Sequence, residues 1–344
     1  MKKFFTVAAS LILSAAMLTA CGSSAAPAAT TGAPETTAAA VTQAPETTEE
    51  TKSFNIAIVQ QLDHASLDEI RLAVEDELTK AAADKGFQVS YKEFNGQNDN
   101  TVLNQIGAQV VSDKYDAIIP IASLAAQCMV TAADGTNTPI IYAAVSDPAT
   151  AGLTDIPNVT GTSDALNTAF ILDMMLAAQP DVKTVGLLYS NSEANSQTPI
   201  AQAKEYLEQK GIAYIEKTGN STDEILTAAS SLVGRVEAVF TPTDNVVMAC
   251  EGAVAEILNQ AGIAHYTGAD SFVAAGAFTT SGVNYTELGT YTADMAVDIL
   301  LGGAVPEYHV MDGGIITVNT DTAEALGIDY SVFKTMANTV TEVT

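Results

Sequence analysis

The octapeptide Asp116-Ala-Ile-Ile-Pro-Ile-Ala-Ser123 has a counterpart in Glu237-Ala-Val-Phe-Thr-Pro-Thr-Asp244. Each opens on an acidic residue, runs through a short apolar strand with a proline near its end, and closes on a residue suited to capping a helix. The pairing predicts one structural unit used twice. Outward from the first copy, Phe54–Gln60 is apolar and β-branched like a buried parallel strand, and Leu67, Ile70, Val74 and Leu78 follow at helical spacing. Strands at 87–93, 116–122 and 139–145 then alternate with helices around Leu103–Val110 and over 124–133. The alternation restarts with a helix over 165–178 and a strand over 183–189. Helices at 198–210, 222–233 and 245–261 then separate strands at 212–217, 237–241 and 264–268. A strand at 277–283, a helix at 285–301 ending at Gly302-Gly303, and a last strand at 315–318 complete the pattern. Regular strand–helix alternation means α/β architecture, here two doubly wound parallel-sheet lobes.

Ligands of such sheets sit beyond the carboxyl ends of the strands. The loops at those ends are polar: His64 after the first strand, Ser123 and Gln127 after the third, and Asp147 after the fourth. In the second lobe they hold Glu193, Asn195 and Ser196, then Asp244 and Asn245, then Asp270. Singly, several have a local explanation. Ser123 and Asp244 suit helix caps, and Asp147-Pro148 suits a turn. Gathered at strand ends of two facing lobes, they describe a binding cleft. The helix beginning at Ser123 offers backbone N–H groups to an anion, and Asp147, Glu193 and Asp244 offer carboxylates to an ammonium group. That combination suits a zwitterion such as an amino acid. It also leads to the expectation that Asp244→Ala weakens binding without unfolding the chain.

The N-terminus reads as an export signal. Lys2 and Lys3 precede an apolar run, and Leu18-Thr19-Ala20-Cys21 closes it like a bacterial lipoprotein box, with Cys21 as the lipid-bearing residue. The signal is 1–20. Residues 21–52 form a stalk of Ala, Thr, Pro, Glu, Gly and Ser with too little apolar content to fold. Such a flexible tether spans roughly 30 Å. The expected location is the outer face of a cell membrane, held there by lipid, with the long stalk favouring a Gram-positive surface. The formal net charge is −27, nearly all of it after residue 52. That balance excludes nucleic acid as a partner. Cys128 and Cys250 read as buried free thiols. The three histidines, His64, His265 and His309, have no metal-ligand spacing. No nucleophile elbow, phosphate loop or dinucleotide fingerprint occurs, so neither an enzyme nor a cofactor is expected.

Several of these segments also carry a family resemblance. They are Asp63-His64 with Leu67-Asp68, Ser146-Asp147-Pro148, Asn158-Val-Thr-Gly161 with Ser163-Asp164, Tyr189 through Ser196, and Pro242-Thr-Asp-Asn245. In them the chain resembles bacterial ABC-transporter substrate-binding lipoproteins related to tryptophan- and aromatic-amino-acid-binding proteins. It has Asp63-His64-Ala65 where that family has Glu-His-Pro. The resemblance implies the periplasmic-binding-protein fold, with a three-strand hinge closing the lobes around a small ligand. It divides the chain into a first lobe, 54–160 plus 283–306, and a second, 161–282 plus 307–344. It further implies a monomer that hands an aromatic amino acid to an ABC permease, with Tyr142, Tyr189 or Tyr285 against the ring. A sugar or nucleoside ligand, a sensory receptor and a secreted hydrolase are the alternatives.

Overall fold

The computed structural model describes residues 51–344. The signal, Cys21 and nearly all of the stalk lie outside the described residues. No helix among the described residues is long and apolar enough to cross a membrane.

The first sheet has six strands. In spatial order they are His309–Val310, Val159–Ser163, Ile140–Tyr142, Ala117–Ile121, Ser53–Gln60 and Gln88–Asn95, all paired in parallel. The second has seven: Val340–Val343, Ile315–Asn319, Thr279–Gly282, Ala264–Thr267, Ala238–Thr241, Thr184–Tyr189 and Ala213–Thr218. Its one antiparallel pairing joins Thr279–Gly282 to Ile315–Asn319. The winding order is the same in both sheets, with the first strand of each lobe lying between its second and third. The two octapeptides supply the third strand of each lobe. Their acidic first residues also do the same work. Asp116 accepts the Asn55 N–H at 2.7 Å, and Glu237 accepts the Thr184 N–H at 2.7 Å, so each carboxylate binds the neighbouring first strand.

Ile56, Ala57, Ile58 and Val59 are all fully buried, because both faces of the sheet are covered. Helices Ala65–Lys85 and Tyr285–Leu300 lie against each other on one face; a Cβ on Gly289 would stand 2.6 Å from the Ile70 carbonyl oxygen. On the other face, Asn100–Asp113 and Ser123–Ala132 pack around Val110, Met129 and Tyr142. In the second lobe Thr168–Ala178 and Ala194–Lys210 cover one face, and Thr222–Leu232 and Glu251–Gln260 the other. The first sheet ends at Ser163 and takes in His309–Val310. The crossovers therefore fall after Ser163, around Gly282–Asn284, and between Val310 and Ile315.

Two helices differ from the sequence pattern. The run expected over 245–261 breaks into Asn245–Met248 and Glu251–Gln260, because Cys250 leaves helical geometry (φ −131°, ψ 18°) and its thiol turns back to the Val246 carbonyl. The helix expected at 198 begins at Ala194, four residues earlier, and carries Pro199 inside it. Pro199 forfeits one backbone bond near the helix start, and the early start sets Glu193 at the mouth of the helix. Cys128 and Cys250 are buried and free.

Candidate functional site

The carboxyl ends of the two sheets face each other, and side chains meet directly across the gap. Gln61 Nε2 donates to Glu193 Oε1 at 2.8 Å, and His64 Nε2 lies 3.0 Å from Asn245 Oδ1. Ser146 and Thr243 hydroxyls pair at 3.1 Å, and the Thr198 hydroxyl donates to Asp147 Oδ2 at 2.7 Å. The lobes are thus closed on one another. Between them lies a small cavity of about 20 Å³.

The polar end of this cavity rests on two tight turns. Ala122 (φ 76°) and Ala144 (φ 54°) adopt left-handed backbone at the ends of adjacent strands, and both line the cavity. Such conformations cost roughly 1–3 kcal/mol each for residues with a Cβ and concentrate where function demands them. The turn at Ala122 aims the start of helix Ser123–Ala132 into the cleft. The N–H groups of that first turn have no intrahelical acceptor. Gln61 Oε1 takes the Leu124 N–H at 3.1 Å, leaving the Ser123 end as an electropositive pole.

Asp164 lines the same cavity; sequence reasoning left it out of the candidates although Ser163-Asp164 carried part of the resemblance. It is buried. Ser146 Oγ donates to its Oδ1 at 2.8 Å, and Tyr285 OH to its Oδ2 at 3.1 Å. Burial pushes its carboxyl above the usual range, against the pull of both hydroxyls. Two donors leave lone pairs free for an ammonium group.

The structure sorts the other candidates. Ser123, His64, Asn195, Asn245 and Asp244 line the cavity. Asp244 is nevertheless saturated: Oδ1 accepts from the Val246 and Val247 N–H groups at 3.1 and 3.0 Å, and Oδ2 from Ser190 N–H at 2.7 Å and Ser196 Oγ at 2.6 Å. It is a buried cap and a loop clamp, and Ser196 belongs to that clamp. Glu193 is buried between amides, accepting from Gln61 and, at 2.6 Å, from Asn245 Nδ2. Burial first, then the nearby Asp244 charge, pushes its carboxyl up to about 7. Three candidates sit elsewhere. Gln127 reaches the Ala151 carbonyl at 3.0 Å. Asp147 closes its own turn on Thr150 and meets Thr198; burial raises its carboxyl, but these donors outweigh that and hold it low. Asp270 borders a separate cavity beside Glu69, where burial and that neighbour push it up.

The aromatic expectations divide likewise. Tyr142 is fully buried in the first lobe, under Gly161, and Tyr189 turns to Glu216 at 2.9 Å. Tyr285 lines the cavity, joined by Phe272, Met248 and Leu67. Phe272 carried no signal beyond its place after a strand end, because helix Asp270–Ala274 is too short to show a period. No cluster of potential metal ligands occurs among the described residues.

A family model described as ABC transporter substrate binding protein matches residues 55–339. A tyrosine-binding protein of Clostridioides difficile (strain R20291) is 32% identical over 290 residues, 81% of this chain and 82% of that one. A solved ABC domain in complex with L-Trp from Streptococcus pneumonia superposes with a TM-score of 0.78 at 29% identity, covering 84% of this chain and 100% of the other. A ligand-free, open substrate-binding protein with adhesive properties from Clostridium difficile gives 0.64 at 32% identity, covering 85% and 99%. The more identical chain superposes less well, as expected for lobes that are closed here and open there.

Proposed function

We infer the role of this chain from its family: it belongs to the ABC transporter substrate-binding proteins. Within that role, the ligand is an aromatic amino acid held between the lobes, and the protein is a lipid-anchored, extracytoplasmic receptor that passes it to an importing permease. The observation that carries the ligand assignment is the polarity of one small cavity. A helix N-terminus at Ser123 suits a carboxylate, buried Asp164 suits an ammonium, and Phe272, Met248 and Tyr285 offer walls to a ring. The relatives that bind tyrosine or tryptophan favour the same chemistry. In this reading the two sheets move as bodies about the three crossovers, and ligand favours the closed form presented to the permease. Cys21 carries the lipid, so Cys21→Ser should release the protein from membranes; retention in the membrane fraction would remove the anchor from the account.

The test of the ligand is a titration of ligand-stripped protein with L-tryptophan, L-tyrosine and a panel of sugars and nucleosides. Binding confined to aromatic amino acids, weakened in Asp164→Asn, is expected. Saturation by a sugar or nucleoside alone would discard the zwitterion site.

A further inference from the structure

Among the described residues, eight buried side-chain nitrogen or oxygen atoms have no hydrogen-bond partner. One of them, His64 Nδ1, belongs to a residue lining the central cavity. Its chemical character follows from a chain of fixed donors. The Leu124 N–H donates to Gln61 Oε1, so Gln61 presents its amide N–H groups to Glu193. Glu193 accepts from Asn245 Nδ2 through its other oxygen, so Asn245 presents Oδ1 to His64. His64 Nε2 therefore carries the hydrogen and donates it, and Nδ1 is a bare lone pair. Burial lowers the imidazole's basicity, which keeps the ring neutral despite Asp63 and Asp68 nearby.

A buried acceptor of this kind asks for a donor from the ligand. The ammonium already has Asp164, and the carboxylate has no donor to give. We propose that His64 selects among aromatic amino acids, with Nδ1 accepting a hydrogen bond from the ring, either the phenol hydroxyl of tyrosine or the indole N–H of tryptophan. Phenylalanine fills the same apolar walls but leaves Nδ1 unpaired. The inference rests on the aromatic amino-acid reading and adds the residue that divides that class. Gln61, Glu193 and Asn245 act through His64 as positioning residues.

The test compares tyrosine with phenylalanine, which differ by one hydroxyl, on the full protein by calorimetric titration. An unsatisfied buried acceptor should weaken phenylalanine about fivefold to a hundredfold relative to tyrosine. His64→Leu should bring the ratio near one by lowering tyrosine affinity while leaving phenylalanine's unchanged or improved. Equal affinities of the unmodified protein for both, or an equal loss of both in His64→Leu, would overturn the selector role and leave the aromatic reading standing. Binding of neither, nor of tryptophan, would overturn both. The wild-type ratio needs no variant, so poor folding of His64→Leu leaves the question answerable.

Discussion

Asp164 and Asp244 are both buried carboxylates beside one cavity, yet they do opposite work. Asp244 answers four donors, two of them the first N–H groups of its own helix. Asp244→Ala strands those donors, so we expect a stability loss of about 3 kcal/mol or more, seen as a fall in melting temperature. A variant that melts normally and only binds weakly would contradict this and restore the expectation drawn from sequence. Asp164 has two donors and spare acceptor capacity. Asp164→Asn should weaken aromatic amino-acid binding about tenfold to a hundredfold, the worth of a hydrogen bond to a charged group. Its ligand-free melting temperature should be unchanged or higher, since a carboxyl raised by burial is replaced by a neutral amide. Unaltered affinity would assign the ammonium elsewhere. Residue type alone could not separate these two aspartates. Both follow polar loop residues, and the difference lies in how many donors the fold brings to each.

Elements were more legible than side chains. Strands such as Ser53–Gln60 and Thr184–Tyr189 announce themselves because burial on both faces demands unbroken apolar runs. Val159–Ser163 escaped because its sequence, Val-Thr-Gly-Thr-Ser, is polar although every residue of it is buried. Its glycine explains part of that. A Cβ on Gly161 would stand 2.1 Å from the Tyr142 carbonyl oxygen and 2.4 Å from its ring. Gly161 thus serves close strand packing. Gly161→Ala should cost about 2–3 kcal/mol or more through overpacking. Thermal unfolding checks this, and a variant as stable as the parent would show that the strand can shift. The helix at Ser123 was legible as a helix. Its orientation into the cleft depends on left-handed Ala122, which no propensity reveals.

At the scale of the molecule, the repeat between Asp116–Ser123 and Glu237–Asp244 carried the two-lobed fold, and its acidic starts turn out to tie equivalent strands. The closed cleft gathers three buried carboxylates in a strongly acidic chain, and Glu251 lies buried apart from it against His265. Asp164, Glu193, Asp244 and Glu251 are all raised, with burial the largest cause for each. A carboxyl with a raised folded pKa holds its proton where the unfolded chain has lost it. Stability is therefore lost as pH rises from the ordinary carboxylate range through the raised values, about 7 for Glu193. The low carboxyls of Asp99, Asp147 and Asp329 stay ionised in both states above the ordinary carboxylate range, whereas the His64 imidazole, lowered by burial, acts in the opposite sense within this window. The ligand-free protein should melt at a higher temperature at pH 5.5 than at pH 8; a lower one would show that the His64 imidazole outweighs the raised carboxyls. The central claim, an aromatic amino acid captured between the lobes, is tested most directly with tryptophan itself. The chain contains no tryptophan, so the ligand's emission reports its own surroundings. Titrated into ligand-stripped protein, L-tryptophan should show a saturable blue shift at one equivalent, abolished by excess tyrosine and untouched by sugars or nucleosides. Emission unchanged from free tryptophan throughout the titration would contradict the account.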